Sequence, residues 1–415
     1  MEKVVMKDVH KQLLAFTLLT MMWRAVLFLV GAGADRWLRY APSFPYADDL
    51  LPRTETFRWL YSWANFDGVH YLTIAQHGYI GTGLVQAFFP FFPFVLLRPV
   101  WLLTESFAAV FQWGMLLTNV LVIFTAWMLW RLTKFEFSPQ VARMTVVAFY
   151  LFPTSFFLGA FYTESIFLAA VFASFWFARH RKWGWATVTI GIAMMSRVVG
   201  VFLLPAIAWE VWESWRASAI KRSSTLSRRV TPSQEWSLFR KFLKVRWQTL
   251  MLLSVASAGL LTYMIFLWHE FGDPLYFFHV QSEFGGGRSE SLVLYPQVWW
   301  RSLRIILTVN PLDWHYFSYA LEFLAGNLGL LGLIFAWKRG IRHSYLLFAA
   351  GCFFLPTLTG TFSSLPRYIL VCFPLYWVLA FLCQEKPRLG IVCLVISTVA
   401  LMIATSLFIQ GYWVA

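Results

Sequence analysis

The chain has 415 residues, of which 59% are hydrophobic and 13% charged, about half the charged share of an ordinary soluble domain (about 25%). So little polar surface excludes a water-soluble globule. The formal charge of +14 does not point to nucleic acid, because the basic residues sit in short gaps between apolar runs, as the positive-inside rule produces.

The first apolar run, 13–31, follows Lys3, Lys7 and Lys11 and ends in Gly31-Ala-Gly-Ala34. It exceeds the apolar core of a signal peptide (about 7–15 residues) and is read as an uncleaved span. Further runs near span length lie at 86–104, 107–131, 143–161, 164–179, 248–268, 317–337, 344–360, 368–383 and 389–409. The stretch 183–213 is too long for one span and is interrupted at Ser196-Arg197, so two short spans are expected to meet there. The expected fold is all-α: one polytopic domain over 1–415 with about 10–13 membrane helices.

Three polar intervals separate these runs. Interval 32–85 holds Asp35, Asp48, Asp49, Glu55 and Asp67 among aromatics. Interval 214–247 carries nine Lys or Arg against the single acid Glu235 and is expected on the cytoplasmic side. Interval 269–315 contains Gly285-Gly-Gly287 and is placed, with 32–85, on the outer face. The two runs between residues 85 and 131 then give the wrong parity, unless the Pro-broken Phe88–Pro99 segment re-enters or lies flat. The 23 Trp and 16 Tyr read as interfacial anchors. Cys352, Cys372, Cys383 and Cys393 lack metal-ligand spacing and read as small hydrophobes.

Chemistry concentrates in Trp63-Ala-Asn-Phe-Asp67-Gly-Val-His70-Tyr71. On a helix Asp67, His70 and Tyr71 share one face, and a carboxylate partly shielded from water suits general-base work. The same residues equally fit a helix-capping or interfacial Asp with aromatic anchors. Tyr162-Thr-Glu164-Ser165 opens an apolar run, so Glu164 reads either as a first-turn acid or as a functional carboxylate at the membrane face. Arg197, Arg288 and Arg367 lie on or near the proposed outer face, where guanidinium groups could hold a lipid phosphate. Arg367 could equally snorkel to the interface, and Glu322, inside the run 317–337, is a candidate partner for an Arg. No Walker loop or His-Glu-x-x-His is present. Asp-x-Asp is also missing, so a sugar donor is expected to be lipid-linked. No metal ligand is singled out, and a divalent metal stays open.

These segments resemble a known family. Phe66-Asp67-Gly-Val-His70-Tyr71-x-x-Ile-Ala-x-His77-Gly78-Tyr79, then Ala87-Phe-Phe-Pro90-Phe-Phe-Pro93, resembles the first luminal loop of GPI mannosyltransferase II (PIG-V-type) proteins. Tyr162-Thr-Glu164-Ser165-Ile-Phe167, Ser196-Arg197-Val-Val-Gly200, Gly272-Asp-Pro-Leu-Tyr276 with Gln281, and Ser363-Ser-Leu-Pro-Arg367-Tyr-Ile-Leu-Val-Cys-Phe373-Pro374 follow in the family's order. The sequence departs from the pattern at Phe66, where Trp usually precedes the Asp, and after Gln281, where a Trp is expected nearby.

The resemblance implies a GT-C glycosyltransferase that uses polyprenyl-phosphate mannose from the outer face and inverts the anomeric centre. It implies Asp67 as the base, with His70, Tyr71, Glu164 and Arg197 lining the site and Arg367 as the candidate for the lipid phosphate; Tyr162 and Arg288 are further candidates at the substrate site. A glycan or glycolipid acceptor is expected, with no nucleic acid. No GPI-specific signal is present, so a prokaryotic relative at the plasma membrane is the expected form, or one at the endoplasmic reticulum if eukaryotic. A transporter or flippase for a lipid-linked or small solute, and a non-catalytic assembly subunit, are the rival readings.

Overall fold

The computed structural model describes residues 2–44, 46–80, 84–222, 231–284, 289 and 291–414. Among these every regular element is helical. Among the described residues six helices are long and apolar enough to cross a membrane: Val9–Arg36, Phe107–Glu136, Val198–Lys221, Pro232–Phe271, Trp314–Lys338 and Pro387–Ile409. Leu365–Val371 and Pro374–Glu385 form a further apolar pair bent by 77°. Leu14, Leu29, Leu331 and Ile396 are among the large apolar side chains left exposed on these helices. A surface of that kind is stable only against hydrocarbon, so this is an integral multi-pass membrane protein.

The remaining apolar runs fold as shorter helices, Pro139–Tyr150, Glu164–Arg179, Trp183–Ser196 and His343–Thr357. They stop short because the chain turns inside the bundle. Between 150 and 164 it makes a 3-10 turn, Ser155–Leu158, and a series of bends. At Arg197 the backbone is fully extended (φ −155°, ψ 144°) before the 3-10 turn Val198–Phe202. Gly200 explains the close return there: a β-carbon would lie 2.6 Å from the Ala193 carbonyl. Only glycine lets the restarting helix press on the backbone it has just left.

The parity conflict resolves through the segment Phe91–Thr104. It begins with a π-type run, Phe91–Leu97, where Phe92 packs edge-on to Tyr71 and Phe161. Arg98 then donates to the Gln76 carbonyl (3.1 Å). The segment ends with Trp101 against Phe107, where the next long helix starts. That helix runs antiparallel to the first, since Trp127 Nε1 donates to Gln12 Oε1 (3.3 Å) while its early Gly114 abuts Phe161. Both ends of 91–104 therefore lie at the Asp67 end of the bundle, and the segment makes no crossing.

The far end of the bundle carries its own ionic knot. Arg179 donates to Glu136 (2.5 Å) and Glu210 (2.9 Å), and Arg342 donates to Glu210 (2.9 Å) and Glu213 (2.7 Å). Ser344 and Tyr345 add hydroxyl bonds to Glu210 and Glu136. These contacts bring three helix ends, from Phe107–Glu136, Glu164–Arg179 and His343–Thr357, against the middle of Leu203–Arg222. All four cysteines are free, and Cys352 and Cys372 are buried.

Candidate active site

The helix Asp67–His77 begins abruptly. Phe66 sits at φ 59°, ψ −110°, a region a side chain rarely adopts. Its ring is clamped by Phe44 (4.5 Å), Trp413 (5.1 Å) and Phe408 (5.8 Å), contacts that offset the strain. The preceding Asn65 donates its amide to the Phe408 carbonyl (2.7 Å). Tyr162 donates to the Asn65 carbonyl (2.6 Å) and accepts from the Asp67 amide N–H (3.2 Å). The Phe161 amide closes on the Trp63 carbonyl (3.0 Å). The Asp67 backbone is thus held from both sides by segments far apart in sequence.

Asp67 is the first helical residue, and no side chain caps this helix. The capping alternative therefore fails. Its carboxylate accepts instead from Arg367. Arg367 also donates to Glu164, and Arg197 donates to the same Glu164 oxygen. Two carboxylates and two guanidiniums thus form one continuous chain, built from four distant points of the sequence. Glu164 is fully buried and Arg367 nearly so (7% exposed), while the Asp67 side chain keeps 18% of its surface. Glu164 takes two arginine partners, and Glu322 lies nearby on the cavity wall.

The chain of charges borders a cavity of about 750 Å³, within the range of ligand-binding cavities. Asp67, His70, Tyr71, Arg197 and Arg367 all line it, as expected for one helical face of the first three. Tyr162 and Glu164 do not line it. They are buried behind the wall (1% and 0% exposed), Tyr162 fixing the Asp67 backbone and Glu164 fixing both arginines. Sequence reasoning assigned them to the substrate, whereas the geometry gives them positioning roles. Arg288 lies outside the described residues.

His70 stacks on Phe88 (4.8 Å, 21°). Burial pushes its imidazole below the usual range, against a smaller upward pull from Asp67, so the ring is neutral at neutral pH. Burial, reinforced by Asp67, pushes the Tyr71 phenol well up, and it stays protonated. Among the described residues no group of three or more His, Cys, Asp or Glu is gathered as a metal site.

One residue of this region escaped sequence reasoning. Arg24, in the first long helix, is buried with none of its three guanidinium nitrogens hydrogen-bonded. Its guanidinium lies 3.6 Å from the Trp63 ring and 4.1 Å from Phe28, packed against Gly159. A charge inside an apolar run was the available signal.

A family model described as mannosyltransferase (PIG-V) matches residues 14–267, more than half of the chain and inclusive of Asp67, Glu164 and Arg197. The chain belongs to the PIG-V mannosyltransferase family. No curated protein matches the chain in sequence. Among solved structures it is similar to the crystal structure of the Archaeoglobus fulgidus oligosaccharyltransferase tethered by a disulfide to an acceptor peptide containing the NVT sequon. That likeness covers 95% of this chain at 11% identity with a TM-score of 0.43, and the chain spans 55% of that structure's length.

Proposed function

We propose that the protein transfers mannose, or a related hexose, from a polyprenyl-phosphate donor to a glycan or glycolipid acceptor at the outer face, inverting the anomeric centre. The observation that carries this reading is the convergence of a carboxylate and two arginines, Asp67, Arg197 and Arg367, on one cavity. In the reaction, Asp67 takes the proton of an acceptor hydroxyl as its oxygen attacks the anomeric carbon. The bond from that carbon to the phosphate oxygen breaks with its electron pair, and the lipid phosphate departs. Arg197 and Arg367 stabilise the phosphate, which is charge-assisted bonding of the kind guanidinium groups provide. Glu164 keeps both arginines at their post when the phosphate is absent. His70, Tyr71 and Phe88 wall the sugar.

The test is transfer from polyprenyl-phosphate mannose in proteoliposomes. Asp67→Asn is expected to lower the rate by about 10²–10⁴-fold, the usual contribution of a positioned base. Undiminished transfer by that variant would refute the base assignment, and solute flux without glycosyl transfer would refute the reaction itself.

A further inference from the structure

Arg367 enters the site from the short helix Leu365–Val371, which starts sharply after Ser364 in the left-handed region (φ 65°). Pro366 stiffens the first turn, and Thr154 donates to the Pro366 carbonyl (3.0 Å). The backbone at Arg367 is therefore fixed, and any rearrangement there belongs to the side chain. The rings of Tyr162 (4.6 Å) and Phe157 (5.0 Å) pack against its guanidinium carbon. Its nitrogens are divided between two acids: Nε donates to Glu164 and Nη1 to Asp67.

That division limits how a phosphate can be held. Guanidinium grips a phosphate best at two points, with two of its nitrogens. Nε is committed to Glu164, which is fully buried and holds Arg197 as well. A two-point grip is then left to Nη1 and Nη2, and Nη1 is held by Asp67. Of the two acids Asp67 is the one that can yield, since its side chain is 18% exposed and lines the cavity. An anionic phosphate in the cavity and the Asp67 carboxylate thus compete for one nitrogen. We propose that the Asp67–Arg367 contact is an interlock: Arg367 occupies the base until a lipid phosphate takes Nη1, and only then does Asp67 turn to a hydroxyl. The site is armed by its donor, so donor binding precedes activation of the acceptor. This regulation deepens the transferase reading above and rests on it for the phosphate and the base.

Farnesyl phosphate, a short polyprenyl phosphate without a sugar, tests the interlock with no reaction. The full chain in lipid nanodiscs is titrated with it by isothermal calorimetry. Asp67→Asn removes the competing charge at nearly constant shape and is expected to tighten binding by about tenfold, the effect of freeing one charge-assisted bond. The gain has to pass through Arg367, so it is expected to vanish when Asp67→Asn is made in an Arg367→Gln chain, as a double-mutant cycle reads it. Equal affinity in wild type and Asp67→Asn overturns the interlock, and so does a gain that survives Arg367→Gln. A structure of the wild-type chain with farnesyl phosphate bound gives a reading that needs no variant. Nη1 on the phosphate supports the interlock, and an intact Asp67–Arg367 contact overturns it. A chain that binds no farnesyl phosphate refutes the donor reading and the interlock together, whereas binding without the Asp67→Asn gain refutes the interlock alone.

Discussion

At one end of the bundle Asp67, Glu164, Arg197 and Arg367 are tied together, and at the other Glu136, Glu210, Glu213, Arg179 and Arg342 are. Both knots join helices remote in sequence, and both centre on a buried glutamate that serves two arginines, Glu164 in one and Glu210 in the other. They differ in what surrounds them. Neutral hydroxyls complete the second knot, from Ser344 and Tyr345, and none of its members lines the cavity. The first leaves Glu164 Oε2 without a hydrogen bond and presents Asp67, Arg197 and Arg367 to 750 Å³ of space. Buried charge alone therefore does not mark function. What separates the first knot from the second is that three of its charged groups face the cavity.

Substitutions can break this contrast. The largest expected effect on activity is Asp67→Asn, with transfer lost and the thermal unfolding midpoint little changed; a comparable loss in Glu210→Gln would erase the distinction. The largest effect on stability is expected from Glu210→Ala, which removes one carboxylate partner from each of Arg179 and Arg342 and leaves them Glu136 and Glu213. Losing a hydrogen bond to a charged group costs about 1.5–3 kcal/mol, read as a lowered midpoint in thermal or denaturant unfolding.

Arg367→Lys keeps the charge but loses the fork that reaches Asp67 and Glu164 together. The donor KM is expected to rise about tenfold, as loss of a charge-assisted bond would give, with the unfolding midpoint moving less than in Glu210→Ala. An unchanged donor KM would return Arg367 to the structural class of Arg179.

The smallest effect concerns pH. The folded His70 pKa is depressed, so between that value and the unfolded pKa of about 6.5 the unfolded chain binds more protons. Stability therefore rises with pH across that window and falls on acidification. His70→Phe retains the stack on Phe88 and is expected to flatten the acid limb of unfolding. A limb of unchanged slope would assign it to another group.

Some of this was legible in the sequence. The spacing of Asp67, His70 and Tyr71 gave one helical face, and a charge in an apolar run marked Arg197 as a break. Arg24 carries the same mark, but a single arginine near the start of a long run also reads as an ordinary anchor. Pairing was not legible. Glu164 and Arg367 are 203 residues apart, and nothing local couples them. Hydropathy also could not place the bends after Tyr150, since the residues from 151 to 163 are apolar whether they run straight or fold back. Trp413 gave no signal, because its role comes from the segment it lands on.

The segment Phe91–Thr104 has a practical consequence for anyone mapping this protein experimentally. A reporter or reactive cysteine placed at Glu55 and another at Glu105 would register the same side of the bilayer. A hydropathy count that scores the segment as a span puts them on different sides, and then inverts every loop that follows. Counted without it, the ends at Glu136, Arg179 and Arg342 all fall on one side, which is where the basic loops belong together.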